Sequence, residues 1–127
     1  MAIARDTTAA NIKPLQGAIV RRVTLGATTE AGEIISLQSD GKWDPAVATA
    51  VVKTGAIALQ AGVDGDKVDA VFFGPVQCLT GATIGNIVYV GDTAGEPVET
   101  AGTKSAVIGH AESATVLFVN FSTVSFS

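Results

Sequence analysis

The chain has 127 residues, of which 47% are hydrophobic and 16% charged, with a formal net charge of −4. This length fits one domain with a single core, and the apolar content excludes an intrinsically disordered chain. The acidic balance excludes binding to nucleic acid through phosphate neutralisation, which needs clustered lysine and arginine. Valine and isoleucine together number 25, against 6 leucines. Because branching at Cβ favours strands, the composition predicts an all-β fold.

The first sixteen residues show no hydrophobic periodicity, and we interpret residues 1–16 as an extended arm that is ordered only where something holds it. The predicted strands are 17–25, 33–38, 42–44, 55–60, 67–73, 76–79, 85–90, 97–99, 105–110 and 115–121, and Val124 and Phe126 extend the last one. Asp40-Gly41 predicts a tight hairpin turn. Gly74-Pro75 is expected to break the ladder.

Residues 46–53 leave two interpretations open. Asp44, Pro45 and Gly55 fit the cap, first turn and end of a short helix, whereas the three valines of this segment oppose one. Short strands at nearly regular spacing indicate a compact antiparallel β-sandwich or small β-barrel formed by residues 17–127, with the extended N-terminal arm and at most one short helix.

An internal repeat runs through the predicted strands. Gly32–Leu37 resembles Gly85–Val90 at an offset of 85 − 32 = 53 residues, and Ala56–Ala61 resembles Ala106–Ala111 at an offset of 50. Either two similar β units pack face to face around one core with pseudo-twofold symmetry, or the alternation of turns and strands is repetitive by itself.

The sequence offers little catalytic chemistry. His110 is the only histidine, and no G-x-S-x-G motif accompanies it. Cys78 is the only cysteine, so the chain can form neither an internal disulfide nor a cysteine-based zinc cluster. We therefore predict a protein that is not an enzyme and uses no cofactor.

Two binding possibilities stay open. Asp64, Asp66 and Asp69 form either a solvated turn or a weak calcium site, since only the first spacing of a calcium loop is present. Trp43 and Tyr89 either pack against the core or stack on a sugar ring. The N-terminus lacks the basic start and apolar core of a secretion signal, and no apolar run is long enough to span a bilayer.

Several segments within residues 15–121 carry a resemblance to a known family. They are Gly32-Glu-Ile-Ile-Ser-Leu-Gln-Ser-Asp-Gly41, Ala56-Ile-Ala-Leu59, Lys67-Val-Asp-Ala-Val-Phe-Phe-Gly-Pro-Val76, Gly85-Asn-Ile-Val-Tyr-Val90, and Val107-Ile-Gly-His-Ala111 with Leu117-Phe-Val119. This succession of turns and strands resembles the capsid decoration proteins, also called cement or head-stabilising proteins, of tailed bacteriophages and prophages.

The resemblance implies a structural virion protein that is made in the host cytoplasm and binds the outer surface of the major capsid protein shell. It implies a homo-oligomer, with a trimer favoured and a dimer second, and no nucleic-acid or membrane partner. The alternative is a receptor- or glycan-binding module of a head fibre or tail. The candidate capsid-binding residues lie in the arm, which either adds a strand to a capsid sheet edge or is a frayed terminus: Arg5, Asp6, Asn11, Lys13 and Pro14.

Overall fold

The computed structural model describes residues 3–123, and its ordered elements are strands apart from one 3₁₀ turn at Ala9–Asn11. The strands are β1 (Ala4–Arg5), β2 (Lys13–Pro14), β3 (Ile19–Thr24), β4 (Ile34–Leu37), β5 (Trp43–Pro45), β6 (Ala56–Ala58), β7 (Lys67–Gln77), β8 (Leu79–Thr80), β9 (Ile87–Val90), β10 (Pro97–Val98), β11 (Ala106–Ala111) and β12 (Val116–Thr123). The predicted all-β fold class is confirmed. Val124 and Phe126 lie outside the described residues.

Ten of these strands form a curled antiparallel sheet, a half-barrel. Eight of them follow the order β10-β9-β11-β12-β7-β6-β4-β5, and β2 and β3 pair with β7 outside this order. The two halves of the sheet have the same internal strand order. Counted outward from the central pair, β7-β6-β4-β5 on one side corresponds to β12-β11-β9-β10 on the other, each strand five numbers higher. This is the arrangement expected from two similar β units. The halves join edge to edge at β7 and β12, and not face to face as in one of the two interpretations of the repeat.

Backbone hydrogen bonds connect the two ends of this sheet. The N–H of Ala48 donates to the carbonyl of Gly91 (2.8 Å) and that of Gly95 to the carbonyl of Ala46 (2.7 Å). The N–H of Ile34 in turn donates to the carbonyl of Gly95 (3.0 Å). The segment after β5 is therefore tied to the turn between β9 and β10, which keeps the sheet curled.

The ambiguous segment 46–53 forms no helix. The N–H groups of Ala46 and Ala48 donate to carbonyls of distant residues, so they do not take part in helical bonds. The turn predicted at Asp40-Gly41 is confirmed: β4 and β5 pair antiparallel around it, and Gly41 has a φ of +84°. A positive φ is accessible to glycine because it has no Cβ.

Strand β7 and its pairing with β12 run without interruption through Gly74-Pro75, whereas on the other side the pairing with β3 ends at Phe73 and that with β2 begins at Val76, so the predicted break is confined to that side. The carbonyl of Pro75 accepts the N–H of Leu15 at 3.0 Å. The N–H and C=O of one strand residue point to the same side of the strand. The N–H that Pro75 lacks would therefore point toward the arm and away from β12. The pairing of β7 with β12, where Pro75 lies opposite Phe118, loses no donor.

The core has two parts. The larger lies under β7, β9, β11 and β12 and includes Ile108, Leu117 and Val119, all fully buried. The smaller surrounds Leu25 and Trp43, and the ring of Trp43 packs edge-on against Phe72 at a centroid distance of 5.2 Å. Full burial of such side chains stabilises the fold by about 1.5–3 kcal/mol each.

The described part of the arm, residues 3–16, packs on the rest of the chain. β1 pairs with β8 through Ala4–Thr80 and Arg5–Leu79, and β2 pairs with the end of β7. Ile12 is 7% exposed and belongs to the larger core. The partner that holds the arm is thus the chain's own sheet. Among the described residues no helix has the length and apolar character needed to cross a membrane.

Candidate interaction surface

Outward-facing side chains on neighbouring strands form a continuous stripe across the sheet. Its members are Ile19 on β3, Phe73 on β7, Phe118 on β12, His110 on β11 and Ile87 on β9, and we call it the outer stripe. Ile19 lies directly opposite Phe73, and His110 lies directly opposite both Phe118 and Ile87. Residues directly opposite in an antiparallel pair share one face of the sheet, so the stripe lies on a single face.

The rings of the outer stripe contact one another. The centroids of Phe73 and Phe118 are 5.1 Å apart with the rings at 84°, and those of His110 and Phe118 are 5.3 Å apart with the rings at 17°. Both arrangements are favourable for aromatic pairs. The three rings therefore form a preformed surface.

Four members of the outer stripe are exposed, three of them apolar, and Phe118 is half-buried. The exposed fraction is 55% for Ile19, 49% for Ile87 and 40% for Phe73. A contiguous exposed apolar patch on a small protein marks an interaction site, whereas single exposed apolar residues are ordinary. This surface is the strongest functional feature of the described residues.

Alternation along the strands places these residues outward. Leu117 and Val119 are fully buried in the larger core, so Phe118 between them must point to the other face. Residues 116–119 are Val-Leu-Phe-Val, all apolar, so the sequence alone does not show which of them face outward. The strand order, which brings Phe118 beside Phe73 and His110, depends on contacts between residues that are distant in sequence.

Arg5, the first of the arm residues predicted to bind a capsid, is engaged inside the domain. Its side chain is 9% exposed and donates to Glu96 (2.9 Å), Glu30 (2.9 Å) and the carbonyl of Ala31 (3.2 Å). Burial lowers the pKa of Arg5, but the hydrogen bonds and charges of Glu96, Glu33 and Glu30 together outweigh it, so the pKa is raised. Arg5 stays charged and ties the arm to the loop that precedes β10.

Asp6 is likewise engaged inside the domain, and Asn11 contacts it from an exposed position. Asp6 is 9% exposed and accepts hydrogen bonds from the N–H of Thr8 (2.9 Å) and the amide of Asn11 (3.0 Å). These bonds fold the 3₁₀ turn. Of the remaining predicted residues, Lys13 and Pro14 are exposed in β2. The structure thus leaves Asn11, Lys13 and Pro14 on the surface and uses Arg5 and Asp6 to hold the arm.

Glu33 lies beside the ion pairs of Arg5. Its carboxylate accepts the N–H of Glu30 at 2.9 Å. Burial raises the pKa of Glu33, and the attraction of Arg5 and the hydrogen bond from Glu30 offset only part of that rise. Desolvation disfavours the charged form of a carboxyl group, so ionised Glu33 has a cost in the folded state.

The acidic cluster Asp64, Asp66 and Asp69 does not converge on a common point. Asp64 accepts Lys42 (3.0 Å), Asp66 accepts the N–H of Val63 (2.9 Å), and Asp69 accepts Arg22 (3.1 Å). Within residues 3–123 no three histidine, cysteine or acidic side chains are arranged to hold a metal ion. Of the two interpretations, the geometry supports the solvated turn.

The other candidate residues are buried or half-buried. Trp43 is 8% exposed and packs against Phe72, so it cannot stack on a sugar ring, and Tyr89 is half-buried in β9. The glycan-binding alternative thereby loses its main aromatic residue. Cys78 is fully buried, and burial raises the pKa of its thiol to about 12, which removes its nucleophilic character near neutral pH.

A cleft of about 450 Å³ lies between the arm and β10, lined by Ile3, Glu96, Pro97 and Asp92 among others. Its carboxylates already have partners: Asp92 accepts the N–H and hydroxyl of Thr103 (both 2.9 Å), and Glu96 accepts Arg5. The cleft therefore presents no set of convergent polar groups awaiting a ligand. Comparison of the whole sequence with protein-family models and with curated proteins finds no match.

Proposed function

We propose that this protein is a structural virion protein that binds the outer surface of the major capsid protein shell and stabilises the expanded head of a tailed bacteriophage. Two things support the proposal: the resemblance within residues 15–121, and a small β domain with a complete core that also exposes the outer stripe. The single observation that carries it is the outer stripe. A domain that has already buried its core has no internal use for a row of exposed rings.

The physical demands of a head-stabilising protein suit this surface. A standard protein interface buries on the order of 1,600 Å² in total, and a preformed apolar centre supplies most of its binding energy. We propose a homotrimer, in which several copies of the stripe bind one shell together and raise the overall affinity through effective concentration. The major capsid protein is the partner, the location is the outside of the virion, and no catalysis is involved.

The proposal is tested by co-sedimentation of the purified protein with expanded, undecorated shells of the matching virus. The variant Phe73→Ser removes a central ring of the outer stripe, and Val51→Ser, at another exposed apolar residue outside the stripe, is the control. Loss of a central aromatic contact costs about 2 kcal/mol or more, which corresponds to a fall in affinity of more than about tenfold.

We expect saturable binding of the wild type and of Val51→Ser, weakened binding of Phe73→Ser, and a higher melting temperature of the decorated shells. Failure of the wild type to bind would refute the proposed function. Equal binding of Phe73→Ser and wild type would show that the outer stripe is not the contact surface.

A further inference from the structure

Strand β3 has an uncovered edge. Within the described residues it pairs only with β7, from Ile19–Phe73 to Thr24–Lys67. Beyond the strand, Leu25 forms a bridge with Trp43, so β5 covers the carboxyl end. The first four residues, 19–22, are all exposed, with Ile19 at 55% and Val20 at 41%.

The direction of the uncovered backbone groups follows from one hydrogen bond. The N–H of Leu25 donates to the carbonyl of Asp66 at 2.8 Å, so Leu25 points toward β7. In an antiparallel pair alternate residues point to the partner, and therefore Val20 and Arg22 direct their N–H and C=O groups away from β7. Such a row of unpaired groups is a template for an added strand.

The charges on this edge select the kind of strand that can be added. Arg21 and Arg22 lie next to each other, on opposite faces of β3. Arg22 contacts Asp69 at 3.1 Å but remains 61% exposed, and the guanidinium of Arg21 lies 4.9 Å above the ring of Phe72. Among residues 3–123 no carboxylate forms an ion pair with Arg21. A second copy of β3 centred on these arginines would bring like charges together, which is unfavourable.

We propose that residues 19–22 bind an extended acidic segment of a partner protein by strand addition. Carboxylates of that segment lie opposite Arg21 and Arg22, and its apolar side chains cover Ile19 and Val20. The site continues the outer stripe, since Ile19 belongs to both. The identity of the natural partner as the capsid protein rests on the proposed function, while the chemistry of the added strand does not.

A competing explanation is that the two arginines only protect an exposed edge from nonspecific pairing. A protective role predicts at most a weak, salt-screened attraction of acidic peptides, without slower hydrogen exchange of the Val20 and Arg22 amides. Strand addition predicts a preference that follows the sign of residues 21 and 22.

The test uses two capped peptides, Glu-Glu-Val-Ile-Thr-Thr and Lys-Lys-Val-Ile-Thr-Thr, whose first two residues lie opposite Arg22 and Arg21 when the strand is antiparallel. Fluorescence anisotropy measures the affinity of each for the intact protein. We expect the acidic peptide to bind at least tenfold more tightly, the double variant Arg21→Gln/Arg22→Gln to lose the preference, and Arg21→Glu/Arg22→Glu to reverse it. Equal affinities for the wild type, or binding of neither peptide at millimolar concentration, would overturn the inference.

Shell binding separates this inference from the proposed function. Hydrogen exchange measured on protein bound to expanded shells should show slower exchange of the Val20 and Arg22 amides than in the unbound protein. If the shells bind the wild type without slowing this exchange and bind Arg21→Glu/Arg22→Glu equally tightly, the capsid protein is not the partner of β3. The proposed function would then stand. No shell binding by the wild type would overturn the proposed function, while the peptides still decide whether the edge accepts an acidic strand.

Discussion

Replacing Ile12 by alanine measures how firmly the arm is built into the domain. Ile12 is 7% exposed, belongs to the larger core, and is the one buried hydrophobic residue of the described arm. Its Cδ1 lies 3.0 Å from the position that a Cβ on Gly32 would occupy, which shows how tightly the arm packs.

The expected loss of stability follows from the volume removed. Substitution of a buried isoleucine by alanine costs about 2–5 kcal/mol, and a residue at the margin of the core belongs in the lower part of that range, about 2–3 kcal/mol. This is a large share of the roughly 5–15 kcal/mol by which domains of this kind are stable. With a urea dependence of about 2 kcal/mol per molar, the unfolding midpoint should fall by about 1 M or more.

Urea unfolding followed by tryptophan fluorescence is a suitable assay because Trp43 is buried. The matched control is Lys13→Ala, the neighbouring exposed position, whose midpoint should change by less than the equivalent of about 0.5 kcal/mol. If Ile12→Ala and Lys13→Ala have the same midpoint, Ile12 does not stabilise the domain and the arm does not contribute to the core.

Three further outcomes are expected. Burial raises the pKa of Glu33, so ionised Glu33 destabilises the folded state at pH values above that raised pKa and has no such effect below the ordinary range. The urea midpoint of Glu33→Gln relative to wild type should therefore be higher at pH 7 than at pH 4. An equal difference at both pH values would contradict this. The thiol of Cys78 should react with a disulfide reagent at pH 8 only as fast as the protein unfolds, and rapid labelling of the native protein would disprove its burial. A Cβ on Gly109 would overlap the carbonyl oxygen of Phe118, so Gly109→Ala should lower the free energy of unfolding by more than about 3 kcal/mol or prevent folding. A Cβ on Gly85 would meet open space, so Gly85→Ala should lower it by only about 1 kcal/mol. Calorimetry of the two variants compares these losses.

Much of the strand pattern could be predicted because it depends on local alternation and turn chemistry. The strand predicted at 33–38 is found at Ile34–Leu37, and its hairpin turn lies at Asp40-Gly41 as expected. These features follow from residues close in sequence. The relation between the two halves of the sheet was visible in the spacing of similar segments, but how the halves join was not.

The remainder depends on contacts between distant residues. Whether Gly74-Pro75 breaks a strand is decided by which side the missing N–H faces, and Leu15 determines that side. A single isoleucine in the arm produces no periodicity, so burial of Ile12 cannot be read from its neighbours. The outer stripe draws one residue from each of five strands, and only the strand order places Phe118 between Phe73 and His110.

The pairing of β7 also determines how the molecule responds to a mechanical load. β2 and β12 flank the same end of β7, with Lys13 and Val116 both opposite Gln77, and both run antiparallel to it. Tension between residue 13 and residue 119 would pull β2 and β12 in opposite directions along the axis of β7. The hydrogen bonds on both sides would then be loaded in shear and would have to yield together, whereas a force perpendicular to the strands would open them one after another. The domain should therefore resist pulling along β7 far better than peeling across it.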